Sequence, residues 1–177
     1  MQITIHEITQ DNQLDFGRCD SSLVVNSKLV VNAEGGRINY TIVDVPSHTK
    51  EYRMYRTDFA EYKDDPTKIV FLAYINDEIA GQVKVTEHWN RYALIDDFAV
   101  DRKYRRQGVG RALIYQCIKW ARKRKFPGIT LETQNINVPA CKLYESCGFE
   151  LRGFDTYLYK AIDPITDEVA LYWYLIF

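Results

Sequence analysis

Histidine and methionine are scarce in this 177-residue chain, at three and two, and only nine glycines and five prolines occur. With 46% hydrophobic and 27% charged residues, a collagen-like or disordered chain is excluded. No uninterrupted apolar run approaches the roughly 20 residues that cross a bilayer. Met1-Gln2-Ile3-Thr4-Ile5-His6-Glu7 shows neither a basic n-region nor an apolar h-region. No membrane partner is therefore expected, and the cytoplasm is the expected address. The four cysteines (Cys19, Cys117, Cys141, Cys147) form no Cys-x-x-Cys pair, and His6, His48 and His88 stand far apart. No metal site is expected, and the cysteines read as reduced thiols filling small apolar sites.

The length suits one domain, large enough to bury about 70% of the unfolded chain's surface without disulfide or metal staples. Net charge is only −1, but the average conceals an asymmetry. Asp101 to Lys125 holds ten Lys/Arg and one acid, a balance of +9, and the other residues hold 13 basic and 23 acidic, a balance of −10. One segment can thus meet an anion while the rest favours cations. Asp64, Asp65, Glu61 and Asp155 could attract a polycation. Trp89, Tyr92 and Tyr157 could stack on a ligand, or could simply pack.

Pattern reading gives a β-rich beginning. Leu29–Val31 and Ile38–Val43 flank Glu34-Gly35-Gly36 as a hairpin. Lys50–Asp64 mixes apolar and charged residues at helical spacing (Met54, Phe59, Tyr62), with Pro66 as a stop. Ile69–Ile75 and Ile79–Val85 form a second hairpin around Asn76-Asp77-Glu78. Ala93–Val100 reads as a central strand, Gly108–Lys125 as a helix burying Leu113, Cys117, Trp120 and Ala121, and Gly128–Thr133 as a strand. Asn137-Val138-Pro139-Ala140 opens a short helix that stops at Gly148. Strands are expected at Phe154–Tyr159 and Ala170–Phe177. The order defines a mixed α/β sheet with hairpins and crossovers.

The most informative stretch joins the central strand to the long helix: Asp101-Arg102-Lys103-Tyr104-Arg105-Arg106-Gln107-Gly108-Val109-Gly110-Arg111. A helix start offers unused N–H groups and the positive end of the dipole to an anion such as phosphate. Glycine keeps side chains out of the way, and Arg105, Arg106 and Arg111 add charge. The P-loop pattern fails for want of its Lys and Ser/Thr, and the dinucleotide fingerprint fails because position 113 is Leu.

Arg105-Arg106-Gln107-Gly108-Val109-Gly110 resembles [RQ]-x-x-G-x-[GA], the acetyl-CoA pyrophosphate loop of the GNAT superfamily of N-acetyltransferases. Phe98-Ala99-Val100-Asp101 looks like that family's fourth strand. Asn137-Val138-Pro139-Ala140-Cys141-Lys142-Leu143-Tyr144-Glu145-Ser146-Cys147-Gly148-Phe149 resembles its N-x-x-A-x-x-x-Y-x-x-x-G-F motif. The resemblance covers about Lys68 to Phe177. It implies the acyl-CoA N-acyltransferase fold, with splayed central strands and a β-rich N-terminal extension, in one domain divided as 1–66 (substrate side) and 67–177 (acetyl-CoA-binding core). Trp89–Val100, Leu131-Glu132-Thr133-Gln134 and Tyr172-Trp173-Tyr174 are similar to the streptothricin acetyltransferase group. That likeness implies a small cationic amine as acceptor and antibiotic resistance as the outcome.

The resemblance also implies site roles. Phe98, Ala99 and Val100 would line the pantetheine arm, Arg105, Arg106, Gln107, Gly108, Val109, Gly110 and Arg111 would hold the pyrophosphate, and Asn137 would touch the arm. Tyr144 would protonate the departing thiolate, and Asp96 would serve as base or water-orienter. Consecutive strand residues point to opposite faces, so a bulge would shift the base to Asp97; Glu87 and Glu132 remain candidates. Another amine (aminoglycoside, polyamine, protein) and a non-catalytic CoA- or nucleic-acid-binding module are the competing readings. Glycines flanked by arginines, without interleaved aromatics, argue against a nucleic-acid partner. No His is placed to activate a cysteine, so direct transfer is expected over an acyl-enzyme. A homodimer is compatible with the sequence.

Overall fold

Turn residues punctuate the chain where the strands end. The structure, a computed structural model, describes residues 2–52 and 56–177. In order these form β1 (Ile3–Glu7), β2 (Leu23–Glu34), β3 (Arg37–Lys50), β4 (Lys68–Ile75), β5 (Glu78–Glu87), β6 (Ala93–Val100), α1 (Val109–Lys123), β7 (Gly128–Gln134), α2 (Val138–Ser146), β8 (Glu150–Asp155) and β9 (Ala170–Ile176). Contacts group them into two units. One comprises the described residues of Met1–Ser22 and Glu51–Ile129 with Phe177, and the other comprises Leu23–Lys50 and Thr130–Ile176.

In the first unit the strands run in the order β1-β4-β5-β6, each pairing antiparallel. Asn76 and Asp77 both take positive φ (49° and 63°) and close β4–β5 with a two-residue turn whose twist matches the strands. Helix α1 covers one face of the sheet and buries Val109, Leu113, Ile114, Cys117, Trp120 and Ala121. A Cβ at Gly81 would lie 2.9 Å from Val109 Cγ1 and 3.0 Å from Leu113 Cδ1, so only glycine lets β5 and α1 approach this closely. Ile8, Phe16, Tyr62, Val70 and Leu72 form a buried cluster, flanked by Phe59, Tyr74 and Ile79.

In the second unit β2 and β3 make a long antiparallel hairpin turned by Gly35 and Gly36, at φ 58° and 75°. Strands β7, β9 and β8 lie side by side in that order. Asn135, only 3% exposed, ties this unit together. Its backbone accepts from Leu29 N–H and donates to the Val169 carbonyl, while its side chain donates to the Leu29 carbonyl and accepts from Val169 N–H. Every polar atom of this buried asparagine is thereby engaged except one amide hydrogen.

Two expectations are corrected. The helix read over Lys50–Asp64 is absent among the described residues, where only a short 3-10 turn, Phe59–Glu61, forms; Met54 lies outside them. Local polar groups take the backbone donors instead. Asp58 accepts from Ala60 N–H, Gln13 Oε1 accepts from Phe59 N–H, and Asp64 adopts φ 61°. The strand read over Phe154–Tyr159 ends at Asp155. Its carboxylate accepts from the amides of Tyr157 and Leu158, which turns the chain, and the strand starts earlier, at Glu150.

Candidate active site

Helix α1 is entered through a strained loop. Beyond β6, the Asp101 carboxylate caps a 3-10 turn over Arg102–Tyr104 by accepting from Lys103 N–H at 2.9 Å. Arg106 then adopts φ 64° and Gly108 φ 90°, both left-handed. The helical ladder begins with Ala112 N–H donating to the Gly108 carbonyl at 3.0 Å, so it does not use the amides of Val109 and Gly110. No side chain stands at Gly108, and Arg106 and Arg111 are exposed beside it. The arrangement suits an anion approaching the backbone. Arg105 turns back instead, donating through Nε to the Val100 carbonyl (3.2 Å) and through Nη2 to the Asp20 carbonyl (3.3 Å).

Strand β6 carries a bulge. Lys84 pairs with Asp97 and Val85 with Ile95, leaving Asp96 as the extra residue. The bulge overturns the expectation that Asp96 and Asp97 point to opposite faces. Asp96 forms an ion pair with Lys84 at 2.7 Å and is 43% exposed. Asp97 accepts at 2.7 Å from Gln82, two residues before Lys84 and so on the same face of β5. Burial holds the Asp97 carboxyl above the usual aspartate range, although the Gln82 bond pulls it down. Gln82 escaped the sequence reading. A lone amide inside the apolar run of β5 was the available signal.

In the second unit Asn137 caps α2, its Oδ1 accepting from Ala140 N–H at 3.2 Å, and Gly148 ends the helix region at φ 92°. Tyr144 is 5% exposed, with ring centroids 6.0 Å from Phe149 and 6.4 Å from Trp173. On β7, Glu132 accepts a short hydrogen bond from the Tyr159 hydroxyl. Glu132 keeps an exposed edge, but partial burial of its carboxyl raises it above the usual range, although the Tyr159 bond pulls it down. Burial, then the Glu132 carboxylate, raises the Tyr159 phenol, and Tyr172 is raised by burial and by Asp155 and Glu132 nearby. Acids and tyrosines therefore cluster here. Tyr159 gave no sequence signal, since it sits in the turn region beyond β8. Among the other candidate ligand contacts, Trp89 and Tyr157 are exposed and Tyr92 is half-buried. Glu87 is ion-paired with Arg91.

The cysteines are free thiols. Burial pushes Cys19 and Cys141 up to about 12 and raises Cys117 further, so none of these three is a ready nucleophile. Among the described residues no group of three or more His, Cys, Asp or Glu could hold a metal ion, and no helix is long and apolar enough to cross a membrane.

A strand leading through a glycine-opened loop into a helix, followed by a second strand and a shorter Asn-capped helix, is the arrangement of an acyl-CoA acyltransferase. Residues 39–149 match the acetyltransferase (GNAT) family, and the chain belongs to that family. It is 35% identical to streptothricin acetyltransferase A of Bacillus subtilis (strain 168), over 96% of this chain and 98% of that protein. A crystal structure assigned as a streptothricin acetyltransferase, from Bacillus anthracis str. Ames in complex with acetyl coenzyme A, is 43% identical, with TM-score 0.91 over 100% of this chain and 98% of that one. The crystal structure of nourseothricin acetyltransferase is 30% identical, with TM-score 0.83 over 99% of each chain. The expected family, fold and N-acetyltransferase activity are thus borne out.

Proposed function

We propose that this chain transfers the acetyl group of acetyl-CoA to an amine of streptothricin, on its β-lysine moiety, by direct attack in a ternary complex, and so confers resistance. Acetyl-CoA and the amine come from what the similar proteins are named for or bind. The geometric observation that carries the reading is the left-handed Gly108 at the start of α1, which leaves the backbone open to a diphosphate.

A lysine-like amine has a pKa near 10.4, so about one molecule in 2,500 is neutral at pH 7, a handicap of roughly 4.6 kcal/mol. A nearby carboxylate that accepts the proton offsets much of this. We assign that role to Glu132 rather than Asp96. Asp96 lies at the surface in an ion pair with Lys84, and Asp97 is held by Gln82. Burial raises Glu132 above the usual glutamate range, and it sits among Tyr159, Tyr172 and Asp155, a surround suited to a cationic guest. The nitrogen lone pair attacks the thioester carbonyl, the C–S bond breaks, and the thiolate takes a proton from the Tyr144 hydroxyl. The second proton that the nitrogen sheds on becoming an amide returns through solvent to restore the phenol. Phe98, Ala99, Val100 and Asn137 are assigned to the pantetheine arm, and residues 106–111 to the pyrophosphate. Arg105 serves the loop from behind, through its bonds to Val100 and Asp20.

A thiol-release assay with acetyl-CoA against streptothricin, an aminoglycoside, a polyamine and a peptide amine tests the substrate. Streptothricin should be turned over fastest, and release with every amine but streptothricin would refute the assignment. Tyr144→Phe should lower kcat by about 10²–10⁴, the range for a general acid, with acetyl-CoA affinity retained; unchanged kcat removes Tyr144 as the acid.

A further inference from the structure

Residues Gly17–Asp20 lie across the start of the cofactor loop as a strap. Gly17 N–H donates to Gln82 Oε1 at 2.7 Å, and Asp20 N–H donates to Asp101 Oδ2 at 2.8 Å. The Asp20 carbonyl accepts from Arg102 N–H at 2.9 Å and from the Arg105 guanidinium at 3.3 Å. Cys19 between them is 3% exposed, and burial together with the Asp101 charge pushes its thiol up to about 12. The strap contributes backbone groups to all four bonds. Two of its four partners are side chains of the loop, Asp101 and Arg105; the others are the Arg102 backbone N–H and Gln82 on β5. One Asp101 oxygen holds the strap, and the other accepts from Lys103 N–H at 2.9 Å.

A carboxylate beside a loop that binds a diphosphate opposes that ligand by charge. Its presence there calls for a geometric benefit. The two bonds of Asp101 supply one: they tie the first turn of the loop both to the strap and to Lys103, ahead of the left-handed residues Arg106 and Gly108. We infer that Asp101 is a positioning residue for acetyl-CoA, whose two hydrogen bonds fix the direction in which the chain leaves β6 and hence the aim of the amides that open α1. The inference rests on the acetyl-CoA reading above.

Charge and geometry predict opposite signs for Asp101→Asn. Loss of the negative charge alone would tighten acetyl-CoA binding. Loss of one of two acceptor oxygens, with an NH2 set against a backbone N–H, would loosen it. Isothermal titration of the full chain with acetyl-CoA should show about tenfold weaker binding for Asp101→Asn, with kcat at saturation unchanged. Asp11→Asn, an exposed acid removed elsewhere in the same unit, should bind like the wild type. Wild-type or tighter binding by Asp101→Asn overturns the inference, as does a fall in kcat without a fall in affinity. Should Asp101→Asn fail to fold, Arg105→Lys, which cannot reach both the Val100 and Asp20 carbonyls with a planar fork, must weaken binding in the same way; unchanged affinity overturns the inference. A wild-type chain that ignores acetyl-CoA refutes the underlying reading instead.

Discussion

Substituting alanine at Gly108 separates backbone strain from cofactor binding, because the structure supplies a matched control. Gly108 and Gly148 hold nearly the same left-handed φ, 90° and 92°. A Cβ at Gly108 would meet only Ile3 Cδ1 at 3.8 Å, and one at Gly148 only Leu175 Cδ1 at 3.5 Å, both ordinary contacts. Crowding is therefore not the cost at either site. What remains is the conformational penalty of an L-residue at positive φ, about 1–2 kcal/mol. For a chain of this size that is a fall in Tm of roughly 2–8 °C for each variant. At Gly148 nothing further follows, whereas at Gly108 the loop can relieve the strain by giving up the conformation that leaves its amides open. To the extent that the loop relaxes, the penalty moves from stability to binding: acetyl-CoA affinity should fall by up to about 5- to 30-fold in Gly108→Ala, with a melting shift smaller by the same energy, and stay near wild type in Gly148→Ala. Thermal melts and calorimetric titrations of both variants read the two quantities. Equal melting shifts with equal, wild-type affinities would sink the proposal that this turn cradles the diphosphate.

Glu132→Gln should reduce kcat with streptothricin by about 10²–10⁴, while Asp96→Ala should stay within a few-fold of wild type; the reverse pattern in steady-state kinetics returns the base to Asp96. Asp97→Asn should make the protein more stable at neutral pH. Burial raises the Asp97 carboxyl, so the proton bound on folding favours the native state at low pH and that benefit is lost as the pH climbs through the folded value. The gap between variant and wild type should close below about pH 4 in denaturant titrations, and a gap that is constant with pH refutes the assignment. Gly81→Ala should cost about 1–3 kcal/mol through contact with Val109 and Leu113, and should also weaken acetyl-CoA binding by shifting the start of α1; a wild-type Tm would show that the β5–α1 contact gives way freely.

The sequence was most legible where one residue type has one physical use. Asn76-Asp77 and Gly35-Gly36 closed hairpins because their residues tolerate positive φ, and the stripe of Leu113, Cys117, Trp120 and Ala121 lies buried as its spacing demanded. Asn137 before Pro139 capped a helix in fact as in pattern. Legibility failed where side chains compete with the backbone. Asp58 and Gln13 broke a helix-like period over Lys50–Asp64 by capturing amides, and Gln13 is 46 residues distant from its partner Phe59. The bulge at Asp96 carried no local mark, because the residue is extra only relative to β5. The partnership of Glu132 with Tyr159 likewise depends on how a turn folds back over β7.

Asn135 has a bearing on how the protein is made. Its amide group closes onto Leu29, which the ribosome delivers 106 residues earlier. At 5–20 residues per second the β2–β3 ribbon, complete at Lys50, waits about 4–17 seconds for the asparagine that secures it. The unit that holds the ribbon draws its other half from Thr130–Ile176, so it cannot finish until nearly the whole chain has been made. In the interval the half-built ribbon stands exposed to chaperones or to aggregation.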